Sequence, residues 1–139
     1  MEKPLLTIEL PLPPQELRPN WRGHWASKAR KTKEYRNRAK WAAIHALGDL
    51  GERGESGGFG DLVNHLPIDQ ASVRITMLNK TARKMDQDNL IASCKAAMDG
   101  LTDAGVWSDD RDITILSPIR GKDKENPRLI LEIWSKTDG

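Results

Sequence analysis

The chain reads as an α+β domain of element order β-α-β-α-β-β, a mixed sheet with its helices packed on one face. Two observations lead there. Short stretches rich in Leu, Ile, Val and Thr are bounded by proline, glycine or polar runs, as strands are. Two longer stretches between them repeat their apolar residues at helical spacing. The 139 residues suit one domain, 1–139, able to bury roughly two-thirds of its unfolded surface.

Residues 4–11 (PLLTIELP) give the first strand, and the prolines at 11, 13 and 14 stop it. The first helix follows, with Tyr35, Ala39, Ala42, Ala43, Ala46, Leu47 and Leu50 on one face. Lys33, Arg36 and Lys40 flank that face on one side, Lys31 and Arg38 on the other, and Gly48 and Gly51 mark the end. The glycine-rich run 51–61 lacks the Gly-Lys-Ser/Thr ending of a phosphate loop and reads as a surface loop. Residues 71–79 alternate as a second strand, with Val73, Ile75 and Met77 on one side. A central helix runs from about Asn89 to Ala104, capped by Asp88 or Asn89 and stopped by Gly105. Its apolar stripe is Leu90, Cys94, Ala97, Met98 and Leu101. Residues 112–119 and 128–136 are the last strands, expected to pair as a hairpin through 120–127.

Composition narrows the class. With 37% hydrophobic and 30% charged residues this is a soluble globular chain. The apolar run at the N-terminus is too short and too broken for a signal peptide or a membrane span, so a cytoplasmic protein is expected. Cys94 is the only cysteine, which excludes an intrachain disulfide and a cysteine-based zinc site. His24, His45 and His65 show no ligand spacing and read as structural or surface residues. A net charge of +2 says little, but its distribution says more. From Arg22 to Lys40 there are eight basic residues and one acid, Glu34. Such an arm suits a polyanion. Trp21, Trp25 and Trp41 interleave with it, a pattern that fits base stacking and equally fits packing of the helix on the sheet.

Between Lys84 and Asp112 stand seven acids, Asp86, Asp88, Asp99, Asp103, Asp109, Asp110 and Asp112, all of them Asp. Short carboxylates near the backbone suit a hard cation such as Mg²⁺. If Asp86-Gln87-Asp88 is extended, its two carboxylates point the same way and repel without a cation or proton between them. A cap and a dipole-favoured acid at a helix start account for the same pair without metal. Asp88, Ala92, Lys95 and Asp99 form one stripe opposite the apolar one. Lys95 there can hold a phosphate or steady developing charge, or simply pair with Asp99 on a solvated face. Asp109-Asp110 lies in a turn that can return a carboxylate towards Asp86 and Asp88, and three such groups can hold two metal ions.

Three blocks taken together resemble the RusA family of Holliday junction resolvases. They are Asp86-Gln-Asp88-Asn89-Leu90, Lys95-Ala-Ala-Met-Asp99-Gly-Leu101 and Ala104-Gly105-Val-Trp107-Ser-Asp109-Asp110. The resemblance continues more loosely through Pro13-Pro14, Asn20, His24, the basic helix and the last two strands. It implies a RusA-like fold and a dimeric, Mg²⁺-dependent endodeoxyribonuclease that cuts four-way DNA junctions by paired nicks. It implies Asp86, Asp88 and Asp110 as the catalytic, metal-holding carboxylates and Lys95 as the functional lysine. The spacing from Asp88 to Asp99 is longer than in the best-known member. Counted forward from Asp88, the lysine position falls on Ala92; counted back from Asp99, it falls on Lys95.

The expectation is therefore a homodimeric resolvase. Asp86, Asp88 and Asp110 hold Mg²⁺, Lys95 assists at the scissile phosphate, and Lys31, Lys33, Arg36, Lys40, Arg83 and Lys84 grip DNA. Two rivals are a DNA-binding protein without catalysis and a metal-dependent hydrolase of nucleotides or small phosphate esters.

Overall fold

The computed structural model describes residues 3–52, 66–81, 87–109 and 113–135. Its elements are β1 (Leu6–Leu10), a 3-10 turn (Gln15–Leu17), α1 (Trp25–Glu52), β2 (Ala71–Asn79), α2 (Gln87–Ser93), α3 (Lys95–Asp103), β3 (Ile113–Ile115), β4 (Ile119–Lys122) and β5 (Arg128–Ser135). Among these residues this is the α+β class expected, a five-stranded mixed sheet with three helices. From residue 53 to 65 the glycine-rich run and His65 lie outside the described residues.

Alternation builds the sheet. Leu6, Ile8 and Leu10 of β1, Val73, Ile75 and Met77 of β2, and Leu129, Leu131 and Ile133 of β5 are all at most 3% exposed. Register aligns them, Leu6 and Val73 both facing Ile133, and Ile8 and Ile75 both facing Leu131. The helices add Tyr35, Ala39 and Ala43 from α1 with Leu90, Ala97 and Leu101 from α2 and α3 to the same core. The opposite face carries Arg74, whose guanidinium lies 5.4 Å from the Trp134 ring.

Four expectations are corrected. The last strands do not form a hairpin, because β2 lies between them: β5 pairs antiparallel with β1 and β2, while β3 and β4 pair parallel along the other side of β2. A parallel neighbour needs a crossover, and α2 with α3 supplies it. The strand foreseen over 112–119 is split at Leu116-Ser117-Pro118, where proline has no N–H to give a ladder. These three residues stand opposite only Arg74 and Ile75 of β2. The extra residue reverses the alternation. Ile113 and Ile115 share the helix face with Ala71 and Val73, whereas Ile119 shares the other face with Thr76.

The central helix is likewise two helices, parted at Cys94, whose φ of −96° and ψ of 1° leave the helical range. Finally, α1 passes through Gly48 and Gly51 to Glu52. A glycine inside a helix costs only about 1 kcal/mol, too little to stop a helix this long.

Candidate functional site

α2 begins at Gln87, so Asp88 and Asn89 sit inside its first turn and do not cap it. Asp88 is exposed there, where the helix dipole favours a carboxylate. Asp86, Asp110, Arg83 and Lys84 lie outside the described residues, and with them the side-by-side geometry expected of Asp86 and Asp88.

The polar stripe survives the break at Cys94. The Cys94 N–H donates to Ile91 O (3.0 Å) and the Met98 N–H to Cys94 O (3.1 Å), which carries the helical path across the turn. Asp88, Ala92 and Lys95 therefore stay exposed and Asp99 half-buried, while Leu90, Cys94, Ala97 and Leu101 are sealed in. The Lys95 side chain is 69% exposed, with Nζ 3.6 Å from Asp99 Oδ1. Burial pushes the Cys94 thiol up to about 12, which marks it as a core group and not a nucleophile.

Beside this stripe, and sharing Ala92 and Lys95 with it, lies a cleft of about 210 Å³, lined also by Ile91 and Met98 of the helices and by Ile113 and Ile115 of β3. It sets the second half of α2 opposite β3. Asp88 stands one helical turn before Ala92, and Asp110 three residues before Ile113.

A stop in the chain ends α3. Gly105, at a φ of +84°, occupies the left-handed conformation that glycine adopts without penalty. The Gly105 N–H donates to Thr102 O (3.0 Å) and the Val106 N–H to Leu101 O (3.1 Å), the Schellman pair that closes a helix. Trp107 is 1% exposed and its indole N–H donates to Thr102 Oγ1 at 2.7 Å. Composition alone did not reveal this anchoring role; the block Ala104-Gly105-Val106-Trp107 was the signal. It fixes the turn that carries Asp109, itself half-buried.

The cationic helix packs beside α3. At Gly100 the two backbones meet: a Cβ there would stand 2.8 Å from the Ala39 Cβ and 2.9 Å from the Lys40 N, and closer still to the Arg36 carbonyl. Arg36 then reaches over α3 and forks onto Asp103, Nε to Oδ2 at 2.6 Å and Nη2 to Oδ1 at 2.8 Å. Its hydrogen bonds hold the Asp103 carboxyl below, and the carboxylate raises the guanidinium above, their ordinary values. Arg36, expected to grip DNA, is thus tied to the protein's own carboxylate across 67 residues of sequence, a pairing no local pattern announces. Lys31 pairs with Glu34 at 3.8 Å, Lys33 is exposed, and half-buried Lys40 has its Nζ 5.5 Å from the Trp41 ring.

The open question of the tryptophans is answered for two of them. Trp25 is 76% and Trp41 55% exposed, so neither packs α1 on the sheet. His24 turns out to be structural: its Nδ1 accepts the Ala26 N–H at 3.1 Å, closing the start of α1, and its ring stacks on Trp25. Among the described residues no three His, Cys, Asp or Glu side chains gather to hold a metal.

A basic helix laid beside a helix pair that presents carboxylates and a lysine defines a domain suited to bringing a polyanion to an acidic site. The family model described as Endodeoxyribonuclease RusA matches residues 11–134 of the 139. The chain belongs to that family, a nuclease family that acts on branched DNA junctions. A search of curated proteins finds no match. No helix among the described residues is long and apolar enough to cross a membrane.

Proposed function

We propose that this chain, as one domain over 1–139, is a Mg²⁺-dependent endodeoxyribonuclease of the cytoplasm that resolves four-way Holliday junctions by paired nicks during DNA recombination and repair. The observation that carries the reading is the cleft. It sets Ile91 and Ala92 of α2, about one turn after Asp88, beside β3, the strand that begins three residues after Asp110 in the sequence. Asp86, Asp88 and Asp110 form an all-oxygen donor set of the kind a hard divalent cation prefers. Bound there, Mg²⁺ would supply an activated water and stabilise the leaving oxygen.

The protein's own groups do the rest. Lys95, exposed on the same stripe as Asp88, holds the scissile phosphate and offsets charge growing on it. Lys31, Lys33 and Lys40 with Arg83 and Lys84 grip the flanking phosphates. Arg36 joins them only by leaving Asp103, so its part is chiefly to seat α1 against α3. A homodimer follows from the substrate's symmetry, since a four-way junction resolves productively only when two opposed strands are cut.

The test is cleavage of a labelled four-way junction beside a matched linear duplex, with Mg²⁺ and with EDTA. Paired symmetric nicks in the junction alone, and only with Mg²⁺, are expected. Tight binding without cutting would replace the reading by a non-catalytic DNA-binding role, and turnover of mononucleotides would replace it by a phosphohydrolase.

A further inference from the structure

The cleft also has a chemistry of its own that phosphate binding leaves unused. Its walls are Ile91, Met98, Ile113 and Ile115, and only its lip, Ala92 and Lys95, is shared with the polar stripe. Ile115 remains 37% exposed on a short edge strand. A cavity of about 150 Å³ lined by Leu, Ile and Phe accepts benzene. A space of about 210 Å³ therefore admits a flat ring of nucleobase size. Met98 adds a polarizable thioether, which favours aromatic neighbours.

Three features select the occupant. The walls are apolar, so they take a ring face and not a charged group. The lip carries the Lys95 ammonium, placed to meet a phosphate on the same nucleotide as that ring. Asp88 precedes Ala92 by one turn, about 6 Å along the axis, a span that one sugar–phosphate unit covers. The strand edge can contribute as well. Leu116 N–H donates to Val73 O (2.9 Å), so the alternate residues Ile113 and Ile115 turn their backbone groups to the open side, where a base edge can be read.

We infer that the cleft receives one nucleobase, unstacked from the junction beside the cleaved phosphate, and that its four wall residues help to choose where the strand is cut. The inference rests on the nuclease reading above. Unstacking is least costly where pairing is already disturbed, as at a branch point.

The experiment places 2-aminopurine at either nucleotide flanking the cut and follows its fluorescence on binding in EDTA. Brightening is expected as the base leaves the stack. Ala92→Phe, which fills the lip from an exposed helix position, should abolish it and slow Mg²⁺-dependent cleavage roughly tenfold, the low end of what one stacked base contributes. An abasic nucleotide at that position should slow the unaltered protein equally, and the two changes together should slow it no further. Ile115→Ala, which widens the cleft without blocking it, should keep the brightening. Silence at both positions, brightening that survives Ala92→Phe, or losses that multiply would each overturn the inference. So would conversion of a dimer to a monomer by Ala92→Phe in sedimentation, which would make the cleft a contact between copies. If the unaltered protein cuts no junction with Mg²⁺, the nuclease reading falls first and takes this one with it.

Discussion

Asp88 and Asp103 are both exposed acids near a helix end, yet their surroundings assign them opposite duties. Asp103 is answered by a forked arginine; Asp88 stands on the stripe beside the cleft. Asp88→Asn should therefore abolish junction cleavage while gel-shift affinity and Tm stay near their original values. Loss of fold and binding together would make Asp88 structural. Asp103→Asn should lower stability by about 0.2–1 kcal/mol at neutral pH, the range for an exposed ion pair. Because the folded carboxyl titrates below its ordinary value, its contribution is complete above the unfolded carboxylate value near 3.9 and fades as pH falls through the folded one. Urea titrations at pH 7 should separate the two proteins, and titrations well below pH 3.9 should bring them together.

The elements differ in how far the sequence discloses them. β2 over 71–79 and the core face of α1 are legible because alternation and the 3.6-residue repeat persist through them without interruption. The break at Cys94 was not, since Leu90, Cys94, Ala97 and Leu101 keep helical spacing straight through it. A turn that preserves the phase of the buried stripe leaves no mark in the pattern. Gly100 was hidden for another reason: it reads as a weak helix position, and only the approach of α1 shows why nothing larger fits. Gly100→Val should force the two helices apart and cost about 1–3 kcal/mol, the usual penalty of overpacking. Chemical denaturation would measure it, and an unchanged midpoint would mean that the helices are not held as closely as described.

For the whole molecule, class and helix placement were readable, whereas strand order was not. A hairpin is the default for two strands joined by a short polar link, and nothing local says that β2 has taken the place between them. The candidate site was legible to the extent that its blocks are contiguous: Asp88 and Lys95 share a stripe as spacing foretold. The Arg36–Asp103 pair was not legible because its partners are remote in sequence. Long-range charge should show itself in binding. Junction affinity should fall steeply with salt, and Lys33→Ala or Lys40→Ala should each reduce the log–log slope by about 0.7–0.9. A slope indifferent to both would move the phosphate-binding surface off α1.

The surplus residue at Leu116-Ser117-Pro118 gives the sheet's open border two separate allegiances. β3 turns Ile113 and Ile115 to the face that carries α2 and α3, across the cleft, while β4 turns Ile119 to the other face, and among the described residues each pairs only with β2. The two halves of one border can then come loose on different schedules. Hydrogen exchange should find the β4 amides opening without β3, and whatever steadies the helix layer should slow β3 and leave β4 unchanged.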